Sequence, residues 1–282
     1  MSILTFLASR FVAGKHVSEA VEAVRQLNEQ GLLASLNFLG EEVKDSAQAQ
    51  AATQEYILLL RKIAEAEVDC NISVKLTQMG LGFDEELCRE NLVRVLKEAA
   101  RFKNFVRIDM ESSAYTQKTL DLIYRVFPEH SNVGAVIQAS LYRSEKDIEM
   151  LNRKKVRVRL CKGAYREPPK IAFQEKEKVN ENYDFLAQKL LKEGYYPGLA
   201  THDDDRLYAA IDFAKSHGIS SDRFEFQMLC GLRRSLWSRL LGEGYRVRIY
   251  VPYGTHWMPY FYRRLRERKE NWMFVLKSLV KG

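Results

Sequence analysis

Short runs rich in β-branched and apolar residues alternate with amphipathic segments eight times along this chain of 282 residues. Such alternation predicts βαβ units with parallel strands. Eight units in a chain of this length are typical of a closed (β/α)8 barrel of the TIM type. The predicted strands cover residues 32–40, 71–77, 105–110, 134–139, 156–163, 197–202, 223–229 and 246–252.

Between these strands, apolar residues recur at helical spacing, as in segments 46–67 and 85–102. The first thirty residues also show helical periodicity, and we interpret residues 1–30 as a helical prelude to a barrel domain over 31–282. An open doubly wound sheet is the alternative. It is disfavoured because no GxGxxG follows the first strand.

The charge and cysteine content narrow the class of protein. The net charge is +7, with basic residues spread along the chain, which favours an anionic ligand over nucleic acid. Cys70, Cys88, Cys161 and Cys230 lack metal-ligand or redox spacing, so we expect free thiols. We therefore expect a cytoplasmic protein without a membrane span, in at most peripheral contact with a membrane.

Polar side chains collect where the predicted strands end. In a barrel these ends meet on the face that carries the chemistry, so we expect a pocket there. Its cations outnumber its carboxylates, and Asp109 could neutralise either Lys75 or Arg159. His202 has no obvious carboxylate cage around it, so no metal site is expected. The strand-end set is Lys75, Thr77, Asp109, Glu111, Gln138, Arg159, Lys162, Gly163, Ala164, Tyr165, Thr201, His202, Gln227, Leu229, Tyr250 and Tyr253.

A further group follows the last strand, where Tyr260, Arg263 and Arg264 share one short segment. Adjacent arginines can bind a carboxylate through two parallel hydrogen bonds. The competing interpretation is a solvated basic helix face, since more cations follow over 266–269.

Taken together, these segments resemble the motif series of the proline dehydrogenases, in order from about residue 30 to the end of the chain. The motifs are SVKLTQMGL (73–81), RIDMES (107–112), VIQA (136–139), RLCKGAYRE (159–167), ATHD (200–203), FEFQMLCG (224–231) and YVPYG with YFYRRL (250–265). The resemblance implies a distorted (β/α)8 barrel whose final helix caps the active site. It also implies an FAD-dependent enzyme that oxidises L-proline to Δ1-pyrroline-5-carboxylate, the first step of proline breakdown to glutamate. A quinone would reoxidise the flavin, and a separate pyrroline-5-carboxylate dehydrogenase would take the product.

The same resemblance implies roles for individual residues. Asp109, paired with Lys75, and Arg159, near flavin N5, would be catalytic. The carboxylate would be held by Lys75, Arg263 and Arg264, and the pyrrolidine ring would be walled by Tyr165, Leu229, Tyr250 and Tyr260. The flavin would contact Met110, Gln138, Arg159, Lys162, Gly163, Ala164, Thr201, His202 and Glu267.

Two other functions fit the residues alone. A strand-borne lysine, Lys75 or Lys162, could form a Schiff base in an aldolase on the same barrel. A barrel that binds an amino acid or nucleotide without turnover could use the same tyrosines and arginines.

Overall fold

The computed structural model describes residues 10–40, 43–258 and 260. Eight parallel strands in these ranges close into a barrel in sequence order, with β8 paired to β1. The predicted barrel is therefore confirmed. The strands are β1 (Leu33–Phe38), β2 (Cys70–Val74), β3 (Val106–Ile108), β4 (Val133–Gln138), β5 (Arg157–Cys161), β6 (Gly198–Ala200), β7 (Glu225–Leu229) and β8 (Val247–Tyr253).

Helices surround the barrel, and each predicted amphipathic segment forms one. The predicted helices at 46–67 and 85–102 end within two residues of the observed bounds. The α-helices of the described ranges are α1 (Val17–Asn28), α2 (Ser46–Glu65), α3 (Glu85–Arg101), α4 (Ser113–Val126), α5 (Ser144–Arg153), α6 (Lys176–Glu193), α7 (Asp204–Ser216) and α8 (Arg234–Gly242). None of them combines the length and apolar character that a membrane crossing requires.

Helix α1, which precedes the first strand, belongs to the outer ring. Its buried face packs on β1 and β8, and it also contacts α2. The segment before it is tied to the end of β8, because Ala13 N–H donates to the Pro252 carbonyl at 2.8 Å and Gly254 N–H donates to the Gly14 carbonyl at 3.0 Å. Helix α1 therefore fills the place in the ring beside β8 and β1.

Several predicted strands end earlier than expected, and after β2 and β5 the reason is a turn of the backbone. After Val74 the chain enters a 3₁₀ turn, Leu76–Met79, which ends at Gly80 with φ +112°. After Cys161 it reaches Gly163 with φ +109°, which is outside the extended region. These turns place Lys75 and Lys162 at the carboxyl ends of β2 and β5.

The inside of the barrel is unusually polar. Barrel interiors are commonly filled by branched aliphatic side chains, and here most of the aliphatic residues of the strands face the helices instead. Alternation along each strand turns the polar residues inward. The buried polar residues of the strands include Ser35, Asn37, Ser73, Arg107, Arg159, Glu225, Gln227 and Arg248.

Candidate active site at the carboxyl ends of the strands

Asp109, Arg159 and Tyr250 form one hydrogen-bonded group, although they lie on three different strand ends. Arg159 Nη1 donates to Asp109 Oδ1 at 2.8 Å, and the Tyr250 hydroxyl donates to Asp109 Oδ2 at 2.7 Å. Burial and the Asp109 charge raise the pKa of Tyr250 well above its usual value, so the phenol stays protonated. Of the two cations that Asp109 could neutralise, the structure pairs it with Arg159.

The Arg159 guanidinium is held on three sides. Its Nε donates to Gln227 Oε1, its Nη1 donates to Asp109, and its Cζ lies 5.4 Å from the Tyr250 ring centre. Its Nη2 makes no hydrogen bond to a residue in the described part of the chain. An oriented cation with donors left over can stabilise negative charge that develops on a bound group.

Glu111 forms a second, partly buried polar group. Its carboxylate accepts from the Thr77 hydroxyl at 2.7 Å and from Thr77 N–H at 3.2 Å, while its carbonyl accepts from Gln138 Nε2 at 3.0 Å. Burial raises the pKa of Glu111, and the charge of Lys75 opposes that shift. Lys75 and Gln138 therefore lie on the same side of the barrel mouth, as their positions on the strands predict.

The loop after β5 carries a cation and a close backbone turn. Lys162 Nζ donates to Asp203 Oδ2 at 2.6 Å and to Asn180 Oδ1 at 2.5 Å. At Gly163 a Cβ would overlap the hydroxyl of Ser140, so only glycine fits this left-handed position. Gly163 and Ala164 are exposed, and they present backbone at the barrel mouth.

His202 and Thr201 fix the end of β6. Leu229 N–H donates to His202 Nε2 at 2.9 Å, so this nitrogen carries no proton. Thr201 Oγ1 accepts from Asp203 N–H at 3.1 Å. Within the described ranges, no three His, Cys, Asp or Glu side chains are grouped as metal ligands.

Aromatic and apolar side chains border this group. Tyr260 is buried in a small cluster against which Leu229 packs, and it is close enough to Tyr250 to influence the pKa of that phenol. Met110 is buried beside β3, whereas Tyr165 is exposed in the loop after β5. Three of the four predicted wall residues are therefore gathered in one place.

Three predicted site residues, Arg263, Arg264 and Glu267, lie outside the described residues. Other residues of the site had no predicted role. Asp203 and Asn180 bind Lys162, and Gln227 binds Arg159. Strand alternation predicts that Gln227 points into the barrel, because it lies on the same face of β7 as Glu225 and Leu229.

The four cysteines are free thiols, as predicted. Burial raises the pKa of Cys161 and of Cys230 to about 11. Both are therefore protonated near neutral pH and poorly reactive.

A buried cation with a nitrogen that no described residue binds, at the carboxyl-end face of a (β/α)8 barrel, is typical of enzyme sites for anionic ligands. The sequence profile of the proline dehydrogenase family matches residues 20–277, so the chain belongs to that family. It is 42% identical to proline dehydrogenase 2 of Bacillus subtilis over 97% of this chain and 90% of that protein. It is 38% identical to the proline dehydrogenase of Deinococcus radiodurans over 98% of this chain and 91% of that protein.

A solved structure extends the likeness to the fold. The chain superposes with a TM-score of 0.88 and 26% identity on proline utilization A (PutA) from Bdellovibrio bacteriovorus inactivated by N-propargylglycine. The match covers 95% of this chain and 33% of that one, so the chain spans about a third of the PutA protein.

Proposed function

We propose that this chain is an FAD-dependent proline dehydrogenase that oxidises L-proline to Δ1-pyrroline-5-carboxylate. The observation that carries the proposal is the Asp109–Arg159–Tyr250 group, in which the buried Arg159 keeps one nitrogen, Nη2, without a hydrogen bond to any described residue. Family membership supplies the substrate class, since its relatives are named proline dehydrogenases.

The residues present fit a flavin. Gly163 brings backbone to the surface at a position where no side chain fits, which suits close approach of a flat ring or a phosphate. Arg159 offers a cation for the ring, and Lys162 with the polar ends of β4 and β6 offers further partners. We assign the flavin contacts to Met110, Gln138, Arg159, Lys162, Gly163, Ala164, Thr201 and His202, with Glu267 expected from the resemblance.

When bound, the flavin would supply, at N5, the acceptor for the hydride that leaves the ring carbon beside the proline nitrogen, and the nitrogen would release its proton to solvent as the C=N bond forms. The protein supplies orientation and charge. Arg159 would stabilise the negative charge of the reduced ring, and Asp109 holds Arg159 in place.

Proline itself would be oriented by its carboxylate. Lys75 lies at the end of β2, and the resemblance adds Arg263 and Arg264 to the carboxylate clamp. Fixing the ring face toward the flavin lowers the entropic part of the barrier. Tyr250, Tyr260 and Leu229 then form the wall against the pyrrolidine ring, with Tyr165 added from the loop after β5.

Substrate choice follows from Tyr250. Its ring is held by the hydrogen bond to Asp109 and cannot move aside without losing that bond. A hydroxyl on the pyrrolidine ring would be crowded, so we expect proline to be preferred over hydroxyproline. Equal kcat/KM values for the two would contradict this assignment.

Reoxidation by a quinone, with brief contact at a membrane surface, and transfer of the product to a separate pyrroline-5-carboxylate dehydrogenase complete the proposal. Both rest on the resemblance. The Schiff-base alternative is weakened at Lys162, because its ammonium group is engaged by Asp203 and Asn180.

The test is the absorption spectrum of the purified protein, recorded before and after anaerobic addition of L-proline. Flavin bands that bleach with L-proline and persist with D-proline are expected. A flavin-containing protein that is not bleached would contradict the substrate assignment. A colourless protein that takes up no FAD and is inactivated by borohydride with a carbonyl substrate would favour the aldolase.

A further inference from the structure

A chain of polar contacts runs through the inside of the barrel to Arg159. Arg248, on β8, donates from Nε to Glu225 Oε1 at 2.7 Å and from Nη2 to Glu225 Oε2 at 3.1 Å. Glu225 Oε1 accepts from Gln227 Nε2 at 2.5 Å, and Gln227 Oε1 accepts from Arg159 Nε. All four residues are at most 9% exposed.

Of the four side chains in this series of contacts, only the Gln227 amide can both accept a hydrogen bond from Arg159 and donate one to Glu225. A guanidinium only donates hydrogen bonds, and an ionised carboxylate only accepts them. Gln227 meets both needs, because its oxygen faces Arg159 and its nitrogen faces Glu225. The orientation of the amide is therefore fixed by its neighbours.

Packing fixes the same side chain independently. On β6, Gly198 lies against the Gln227 amide, and a Cβ at position 198 would overlap its Nε2 and come within 2.8 Å of its Cδ. The Gln227 side chain therefore occupies space that exists only because residue 198 is glycine. A side chain held by both hydrogen bonds and packing transmits its position to the next group.

We propose that Gln227 is a positioning residue, which holds the Arg159 guanidinium in the plane required for its contact with the flavin, and that Glu225 and Arg248 hold Gln227. The inference rests on the proposed function. Asp109 fixes Arg159 at Nη1, and Gln227 fixes it at Nε, so together they determine which way Nη2 points. Loss of the Nε contact leaves the guanidinium free to rotate about its bond to Asp109.

The test compares Gln227→Met with the wild-type enzyme, both loaded with FAD. Methionine has similar length and no amide, so it removes both hydrogen bonds. We expect the rate of flavin reduction at saturating L-proline to fall roughly 10- to 100-fold, because a small misplacement of a charged group carries a penalty of that order. The flavin midpoint potential becomes more negative, because a misplaced cation stabilises the reduced flavin less. The proline concentration for half-maximal reduction changes less than about threefold.

Two further variants separate positioning from folding. Gly198→Ala displaces the Gln227 amide without changing its chemistry, and the same loss of rate and shift of potential are expected. Ser35→Ala removes a different buried interior hydrogen bond, to Ser73 at 3.0 Å, and leaves both properties as in the wild type.

Gln227→Met with full flavin content and unchanged reduction rate and potential would overturn the inference. If Gln227→Met does not fold, Gly198→Ala tests the same inference, and an unchanged reduction rate and potential in that variant would overturn it. The proposed function fails separately, because it fails when L-proline does not bleach the wild-type flavin.

Discussion

The polar interior of the barrel contains two charged groups, a lower layer (Arg248 and Glu225) and an upper layer (Asp109, Arg159 and Tyr250), and they differ in how completely their charges are satisfied. In the lower layer, Arg248 holds Glu225 through two parallel hydrogen bonds and gives a third to the Ala34 carbonyl at 2.7 Å. In the upper layer, Asp109 accepts from Arg159 and Tyr250, and Arg159 keeps Nη2 without a partner among the described residues.

This difference separates a structural ion pair from a functional one. A buried pair whose donors are matched gains nothing from a ligand, whereas its disruption leaves an uncompensated charge in the core. A pair with donors remaining at the mouth of the barrel is ready to bind. The lower layer is therefore expected to govern stability, and the upper layer is expected to govern chemistry.

The largest effect is expected for Glu225→Ala, which removes the carboxylate of the lower layer. Arg248 is then buried without a counter-charge, and the free energy of unfolding should fall by about 3–5 kcal/mol. Urea unfolding of the flavin-free protein measures it. The control is Glu22→Ala, which removes an exposed ion pair with Arg25 and should change stability by less than about 1 kcal/mol. A loss below about 1 kcal/mol in Glu225→Ala would contradict the structural role.

The pair of Glu225 and Arg248 should also make the free energy of unfolding depend on pH. Burial raises the pKa of Glu225, but the charge and hydrogen bonds of Arg248, the hydrogen bond from Gln227 and the charge of Arg107 together outweigh burial, so the folded-state pKa lies below its usual value. Such a carboxyl contributes stability above its unfolded pKa and loses it as pH falls through the folded pKa. The difference in unfolding free energy between wild type and Glu225→Ala should therefore narrow below about pH 4.5. If this difference widens on acidification, the pKa of Glu225 is raised by folding rather than lowered, which would contradict the account.

In the upper layer, Tyr250→Phe removes the hydrogen bond to Asp109 and leaves the ring in place. Hydrogen bonds to charged groups are worth about 1.5–3 kcal/mol, so kcat/KM for L-proline should fall by roughly one to two orders of magnitude. Steady-state kinetics with a fixed electron acceptor measure the change. Since the lower layer is untouched, the thermal midpoint should change little. A large drop in the midpoint with unchanged kcat/KM would reverse the assignment of the two layers.

A smaller effect is expected at the rim of the upper layer, for Gly163→Ala. The substitution places a Cβ at φ +109° against the Ser140 hydroxyl, so the loop must move, and FAD should dissociate about tenfold more readily. Fluorescence titration of the flavin-free protein with FAD measures the affinity. Gly218→Ala is the matched control, because Gly218 also has positive φ but has open space around it. Equal loss of FAD affinity in both variants would exclude a specific role for Gly163.

The smallest effect is expected for Glu111→Gln. Burial raises the pKa of Glu111, which is the opposite direction from Glu225, so the wild-type carboxyl gains stability as pH falls through its folded pKa. Glutamine keeps hydrogen bonds to Thr77, so the unfolding free energy near neutral pH should change by less than about 1 kcal/mol. The variant should also lack the stability gained on mild acidification. Unfolding curves at several pH values test both points.

Much of the fold follows from the sequence because hydrophobic periodicity is local. Apolar residues recur with a period of two at β7 and β8 and of about 3.6 at α1 and α2, and this pattern identifies each element without knowledge of what it packs against. The place of α1 in the outer ring could not be read this way, because it depends on which strands its apolar face meets after the barrel closes.

The site was predictable as a set of residues but not as a set of contacts. Strand ends converge in any barrel, so Asp109, Arg159 and Tyr250 could be grouped in advance. The choice of Arg159 as the Asp109 partner depends on relative height and rotamer across separate strands. A search for polar residues at strand ends does not select Glu225 and Arg248, because they lie near the starts of β7 and β8.

The most direct test of the account is the rate of anaerobic flavin reduction by saturating L-proline in Arg159→Met, measured by stopped flow at matched flavin content. Removal of the upper-layer cation should lower the rate about 100-fold or more, as loss of one preorganised electrostatic partner does in other enzymes. A rate within about twofold of the wild type would contradict the claim that the upper layer carries the chemistry.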